Sequence, residues 1–115
     1  MRSLKRVRKI SESDRQLLLE LKKIVTTMVP GAEVILYGSA ARGTRQPDSD
    51  YDILVLSRNR LSASEERALE SAIYDVMLDR DVVVSTIIYA QDEWTRPLLQ
   101  ASPYSKNVLK DGILL

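Results

Sequence analysis

The sequence lacks cysteine and histidine altogether, and it lacks phenylalanine. Without cysteine no disulfide framework can form, and without either of the first two there is no Cys/His zinc site. Ser-His-Asp and Cys-His nucleophilic mechanisms are excluded for the same reason. Any acid–base or metal chemistry therefore falls to Asp, Glu, Lys, Arg, Tyr or Ser. No apolar run approaches the roughly 18 residues that a membrane-spanning helix needs. The charged N-terminus is not followed by the apolar stretch of a signal peptide, so a cytoplasmic location is the default expectation. An excess of one charge is missing too. The 17 Lys+Arg and 16 Asp+Glu leave a net charge of +1, which excludes a uniformly basic nucleic-acid coat and an acidic tail.

What remains suits one soluble domain. The chain has 115 residues, 44% hydrophobic and 29% charged, too apolar for a disordered segment. At this length it can bury about two-thirds of the surface its unfolded form exposes. Residues 1–10 carry five basic side chains and no acid, and read as a solvated, flexible arm. A phosphate-contacting arm is the sharper alternative, but no aromatic residue is interleaved to support it.

Apolar residues at spacings of three and four (Leu17, Leu18, Leu21, Ile24, Val25, Met28) predict a helix over 12–28, with Ser13 and Gln16 as its capping box, ended by Pro30-Gly31. Strands are expected over 33–37, 50–57 and 81–90. A helix over 62–78 opens on the Ser62/Glu65 box. Asp92 could cap a short helix from near Trp94, and Pro103 could open a last one to Lys110. The fold class is thus α+β with α/β-like character: a small mixed sheet of three to four strands flanked by helices. The strands joined by the second helix suit a right-handed crossover if they run parallel.

The informative stretch is Gly38 to Asp52, GSAARGTRQPDSDYD. Asp50 and Asp52 stand two apart at a strand start, so both carboxylates project from one face. Two like charges repel by about 1 to 4 kcal/mol at ~4 Å, depending on the effective dielectric. A pair held at the mouth of an apolar strand therefore asks for a cation, and an all-oxygen donor set suits Mg²⁺ or Mn²⁺. Asp81, opening the next strand, could join the same place from the neighbouring rung. Three converging carboxylates around divalent ions suit phosphoryl or nucleotidyl transfer. Gly38 lets backbone N–H groups approach a phosphate, Ser39 adds a hydroxyl, and Arg42 lies within reach of a triphosphate. Taken singly, a Gly-Ser pair is a common turn and an Asp-x-Asp a common strand start; the combination in this order is what carries information.

This pattern of Gly-Ser, Arg-Gly, then Ser-Asp-x-Asp and an apolar strand resembles the DNA polymerase β nucleotidyltransferase superfamily. Its form here is similar to the minimal nucleotidyltransferases (MNT), with Ala40 where many relatives carry a basic residue. The resemblance runs from about Val34 to Leu56 and is weaker over Asp81-Val-Val-Val and Asn107 to Leu114. It implies Asp50, Asp52 and Asp81 as catalytic and metal ligands for Mg²⁺. It implies Gly38, Ser39, Arg42 and Ser49 as contacts to the phosphates of ATP. It further implies AMP transfer to a tyrosine of a helical HEPN partner, as an antitoxin silences its toxin. A catalytically idle module that neutralises its partner by contact is the first rival, and transfer to RNA or a small molecule the second. Nucleic acid is not the expected partner, no membrane is expected, and a homo-oligomer is compatible with the chain.

Overall fold

The computed structural model describes all 115 residues. In chain order the elements are β1 (Arg2–Ser3), a 3₁₀ turn (Leu4–Arg6), α1 (Glu12–Met28), β2 (Glu33–Tyr37), α2 (Gly38–Arg42), β3 (Tyr51–Ser57) and α3 (Ala63–Arg80). They continue with β4 (Val84–Ala90), α4 (Gln91–Trp94), α5 (Pro97–Gln100), α6 (Pro103–Asp111) and β5 (Ile113–Leu114). The strands form one mixed sheet in the order β1-β5-β2-β3-β4. β2 runs antiparallel to β3, and β3 parallel to β4 across the α3 connection. The expected α+β class holds, with five strands rather than three or four. The added pair arises because Ile113–Leu114 bond to β2 on one side and to Arg2–Ser3 on the other.

β3 explains the layering. Its side chains alternate, and both sets are buried. Tyr51, Ile53 and Val55 meet Leu17, Leu18, Leu21 and Val25 of α1 and Leu69, Ile73 and Val76 of α3. Leu54 and Leu56 meet Trp94 and Val108 from the C-terminal helices. A strand covered on both faces reads as a continuous apolar run, which is how 53–56 reads. Asp52 has the parity of Leu54 and so lies on the C-terminal-helix face, where that cover ends.

Four expectations need correction. The α1 cap is Ser11, whose side chain accepts from Asp14 N–H, while Gln16 donates to Glu12 instead of completing a box. The short helix expected from near Trp94 ends there instead: α4 covers Gln91–Trp94, Pro97 opens a separate α5, and Glu93 rather than Asp92 reaches back to the Ala90 N–H, at 3.1 Å. β4 begins at Val84, since α3 runs on to Arg80 and Asp81 turns out of it in the left-handed conformation, φ 53°. The N-terminal arm is not solvated throughout. Leu4 is 3% exposed in the main core. Arg2 donates to Ala41 O and Asp111 O, and Arg15 donates to Leu4 O and Val7 O. An apolar side chain and carbonyls looking for donors tie the arm down.

Candidate active site

The site is assembled by one rung of the sheet. Tyr37, the last residue of β2, is the direct partner of Asp52 on β3. Gly38 follows at once and so arrives beside that carboxylate. It has φ +74°, and a Cβ placed on it would collide with Asp52 Oδ2. Glycine is required there for its backbone conformation, and its missing Cβ leaves the Asp52 carboxylate room beside the turn. α2 starts at Gly38 without a side-chain cap, so no side chain competes with an anion for its first-turn N–H groups. Ser39 lies in that turn, partly exposed. Gly43, at φ +78°, ends α2 by returning its N–H to Ser39 O.

Asp50 is exposed and Asp52 half-buried. Burial, and then the negative charge of Asp50, hold the Asp52 carboxyl above its ordinary range, while Arg42 opposes the shift. Two acids near enough to act on one another, one of them partly desolvated, form a site whose charge balance calls for a cation. The donors are all carboxylate oxygens, which fits Mg²⁺ or Mn²⁺.

Other predicted contacts are placed differently. Arg42 Nη1 pairs with Asp111 Oδ2 at 2.8 Å, and Asp111 is almost buried. Its charge still reaches Asp52, but its guanidinium is held at the α6 end. The Ser49 hydroxyl accepts from Gln46 N–H at 3.2 Å and closes a turn within the loop. Asp81 is not brought to the pair: the residue across from Asp52 on β4 is Ser85. Asp81 instead lines a surface pocket with Arg45, Asp48 and Ser49. No three acidic side chains are grouped as a metal cage anywhere in the chain. The reason is the extra length of α3, which displaces Asp81 from the strand.

The structure also gathers residues that the spacing did not point to. Tyr51 is 3% exposed and its hydroxyl donates to Asp14 Oδ1 at 2.6 Å. Burial first, then this hydrogen bond, push the Tyr51 phenol up to about 12. The Arg45 guanidinium lies over the Tyr51 ring, 4.1 Å from its centroid. On the Asp52 face, Tyr104 packs edge-on to both Tyr37 and Trp94, at centroid distances of 5.4 and 6.1 Å. Burial raises the Tyr37 phenol, the Tyr104 hydroxyl pulls against this, and the charge of Asp52 adds to the rise. Trp94, Leu99 and Tyr104 thus pack with the second core cluster, while Leu98 is 89% exposed. In the sequence Trp94, Leu98, Leu99 and Tyr104 stand out as an apolar set suited to core packing or to docking, and all but Leu98 take the core role; their meeting beside Asp52 depends on how α4 to α6 fold back.

Similarity to known proteins agrees with this geometry. Residues 18–115 match the nucleotidyltransferase domain family. A relative from Methanocaldococcus jannaschii, named "Putative protein adenylyltransferase MJ0141", is 32% identical over 76 residues, covering 64% of this chain and 77% of its own. A crystal structure of a toxin–antitoxin complex with AMP-PNP shares the fold at a TM-score of 0.59 and 22% identity, covering 84% of this chain and 69% of that one. A structure of a tri-AMPylated Shewanella oneidensis HEPN toxin in complex with an MNT antitoxin gives a TM-score of 0.54 at 16% identity, over 87% of this chain and 69% of that one. The match across most of the chain, together with a glycine turn set against an acidic pair, means that this chain belongs to the nucleotidyltransferase domain family and is by that membership a nucleotidyltransferase.

Proposed function

We propose that this chain transfers AMP from ATP to a hydroxyl of a protein acceptor, a tyrosine of a HEPN-type helical toxin, and so serves as the antitoxin of that pair. The observation that carries the reading is the Asp50–Asp52 pair set against the Gly38–Ser39 turn. Asp50 and Asp52 would hold Mg²⁺, which when bound supplies charge neutralisation for the triphosphate and polarises the reacting phosphoryl group. The Ser39 hydroxyl and the first-turn N–H groups of α2 hold phosphate oxygens and offset the charge that develops as pyrophosphate leaves. Asp81 and Ser49 stand outside this arrangement, and Arg42 acts at a distance. Asp50 is exposed and Asp52 half-buried, so the pair presents carboxylate oxygens at the surface of the chain. The similarity to a protein adenylyltransferase supports the protein acceptor, and the likeness to toxin–antitoxin complexes supports the HEPN partner.

The idle-binding rival gains one observation, the neutral Ser85 where a third acid was expected. Both readings meet one experiment. The protein is incubated with α-labelled ATP, Mg²⁺ and a HEPN protein from the source cell, and products are resolved as protein, RNA and small molecule. Label on the HEPN band, absent with Asp52→Asn, is the expected outcome. Label on RNA or a small molecule would replace the acceptor. Equal labelling by Asp52→Asn would sink the site, and no label in any fraction would leave the idle module standing.

A further inference from the structure

The loop from Gly43 to Asp50 carries half of the acidic pair, yet it holds no helix or strand. Its hydrogen bonds close within it or back to α2: Thr44 N–H to Ser39 O, Ser49 N–H to Gln46 O, Gln46 N–H to Ser49 Oγ, Arg45 Nη2 to Pro47 O. One contact reaches out to the helical layer. The Arg45 guanidinium lies 4.1 Å from the centroid of the Tyr51 ring. That ring is itself fixed, being 3% exposed and bonded through its hydroxyl to Asp14 in the first turn of α1. Arg45 and Tyr51 also bracket Asp50 in sequence. Their contact therefore closes the loop on itself with Asp50 inside.

We infer that Arg45 is a positioning residue, whose stacking on Tyr51 holds the loop so that the Asp50 carboxylate stays beside Asp52. This rests on the reading of that pair as the cation site. A loop left free must be ordered when a cation binds, and the lost freedom is subtracted from affinity; a loop already clamped avoids that loss. The alternative, that Arg45 acts only as a nearby positive charge, has the opposite sign. Removing a cation from the neighbourhood of two carboxylates strengthens their hold on a metal ion. Clamp and charge are thus separated by the direction of one change.

The test is Mn²⁺ binding without nucleotide, followed by the electron paramagnetic resonance of the free ion, for wild type, Arg45→Ala and Arg45→Lys. A cation over an aromatic face corresponds to an affinity change of about three- to thirty-fold when lost. Arg45→Ala should weaken Mn²⁺ binding by that factor and speed amide exchange at residues 46–50. Arg45→Lys keeps a cation over the ring and should recover most of both. Equal or tighter binding by Arg45→Ala would overturn the clamp while leaving the acidic pair in place. A wild type that takes up no Mn²⁺ would overturn the pair and the clamp together.

Discussion

Asp52 shows how far one residue can be pushed by its setting. Its carboxyl sits above the ordinary value of 3.8 because it is partly buried beside Asp50. Between that value and the raised one, the folded chain binds more protons than the unfolded chain. Stability of the metal-free protein therefore falls as pH rises through that window, and the penalty is complete above it. Asp52→Asn removes the penalty. In the presence of a chelator the variant should melt at or above wild type at neutral pH, and the two should converge below pH 3.8. Calorimetry across that range decides it; a variant that melts well below wild type at pH 7 would contradict the account. Added Mg²⁺ should stabilise wild type and not the variant. At this scale the sequence was legible where a turn fixed the answer: Gly38 turns out of β2 against Asp52, and Asp50, just before β3, is near enough for its charge to act on that carboxyl. It was not legible at Asp81, whose place depended on where a helix stopped, or at Ser49 and Arg42. Those two side chains found partners inside the fold, Gln46 and Asp111.

Helices were legible from apolar spacing, and their ends only where two signals agreed. At α3 the signals do agree. Ser62 Oγ accepts from Glu65 N–H at 3.1 Å, and Glu65 Oε1 accepts from Ser62 N–H at 2.9 Å. The bonds to Ser62 hold the Glu65 carboxyl below its usual range. Replacing Ser62 by alanine should cost about 1 kcal/mol, read as a lower urea midpoint with an unchanged slope. At α1 two serines compete, and Ser11 rather than Ser13 takes the cap, since the helix begins at Glu12. The two-residue strands β1 and β5 have no period to detect. They exist only because β5 finds β2 on one side and β1 on the other.

Across the whole molecule, the first residues and the last close one edge of the sheet and the mouth of the larger core. Leu4 fills that core, and Arg2 ties the end of α2 to the end of α6 through Ala41 O and Asp111 O. Leu4→Ala should destabilise by about 2 to 5 kcal/mol, as for other buried leucines, where a solvated arm would show no change; chemical denaturation separates the two. Composition reported the core but not this closure, since basic residues at a terminus look alike whether they are free or bonded to carbonyls. The rung that joins Tyr37 to Asp52 also sets how the connection between them can vary in length. Closing a loop costs only about 0.6 kcal/mol for each doubling of its length, and the rung keeps Gly38 against Asp52 whatever the loop does. Inserted residues between Gly43 and Arg45 would leave the bracket around Asp50 intact, whereas the same insertion between Arg45 and Asp50 would widen it. Length can drift on one side of Arg45 without loss, and not on the other.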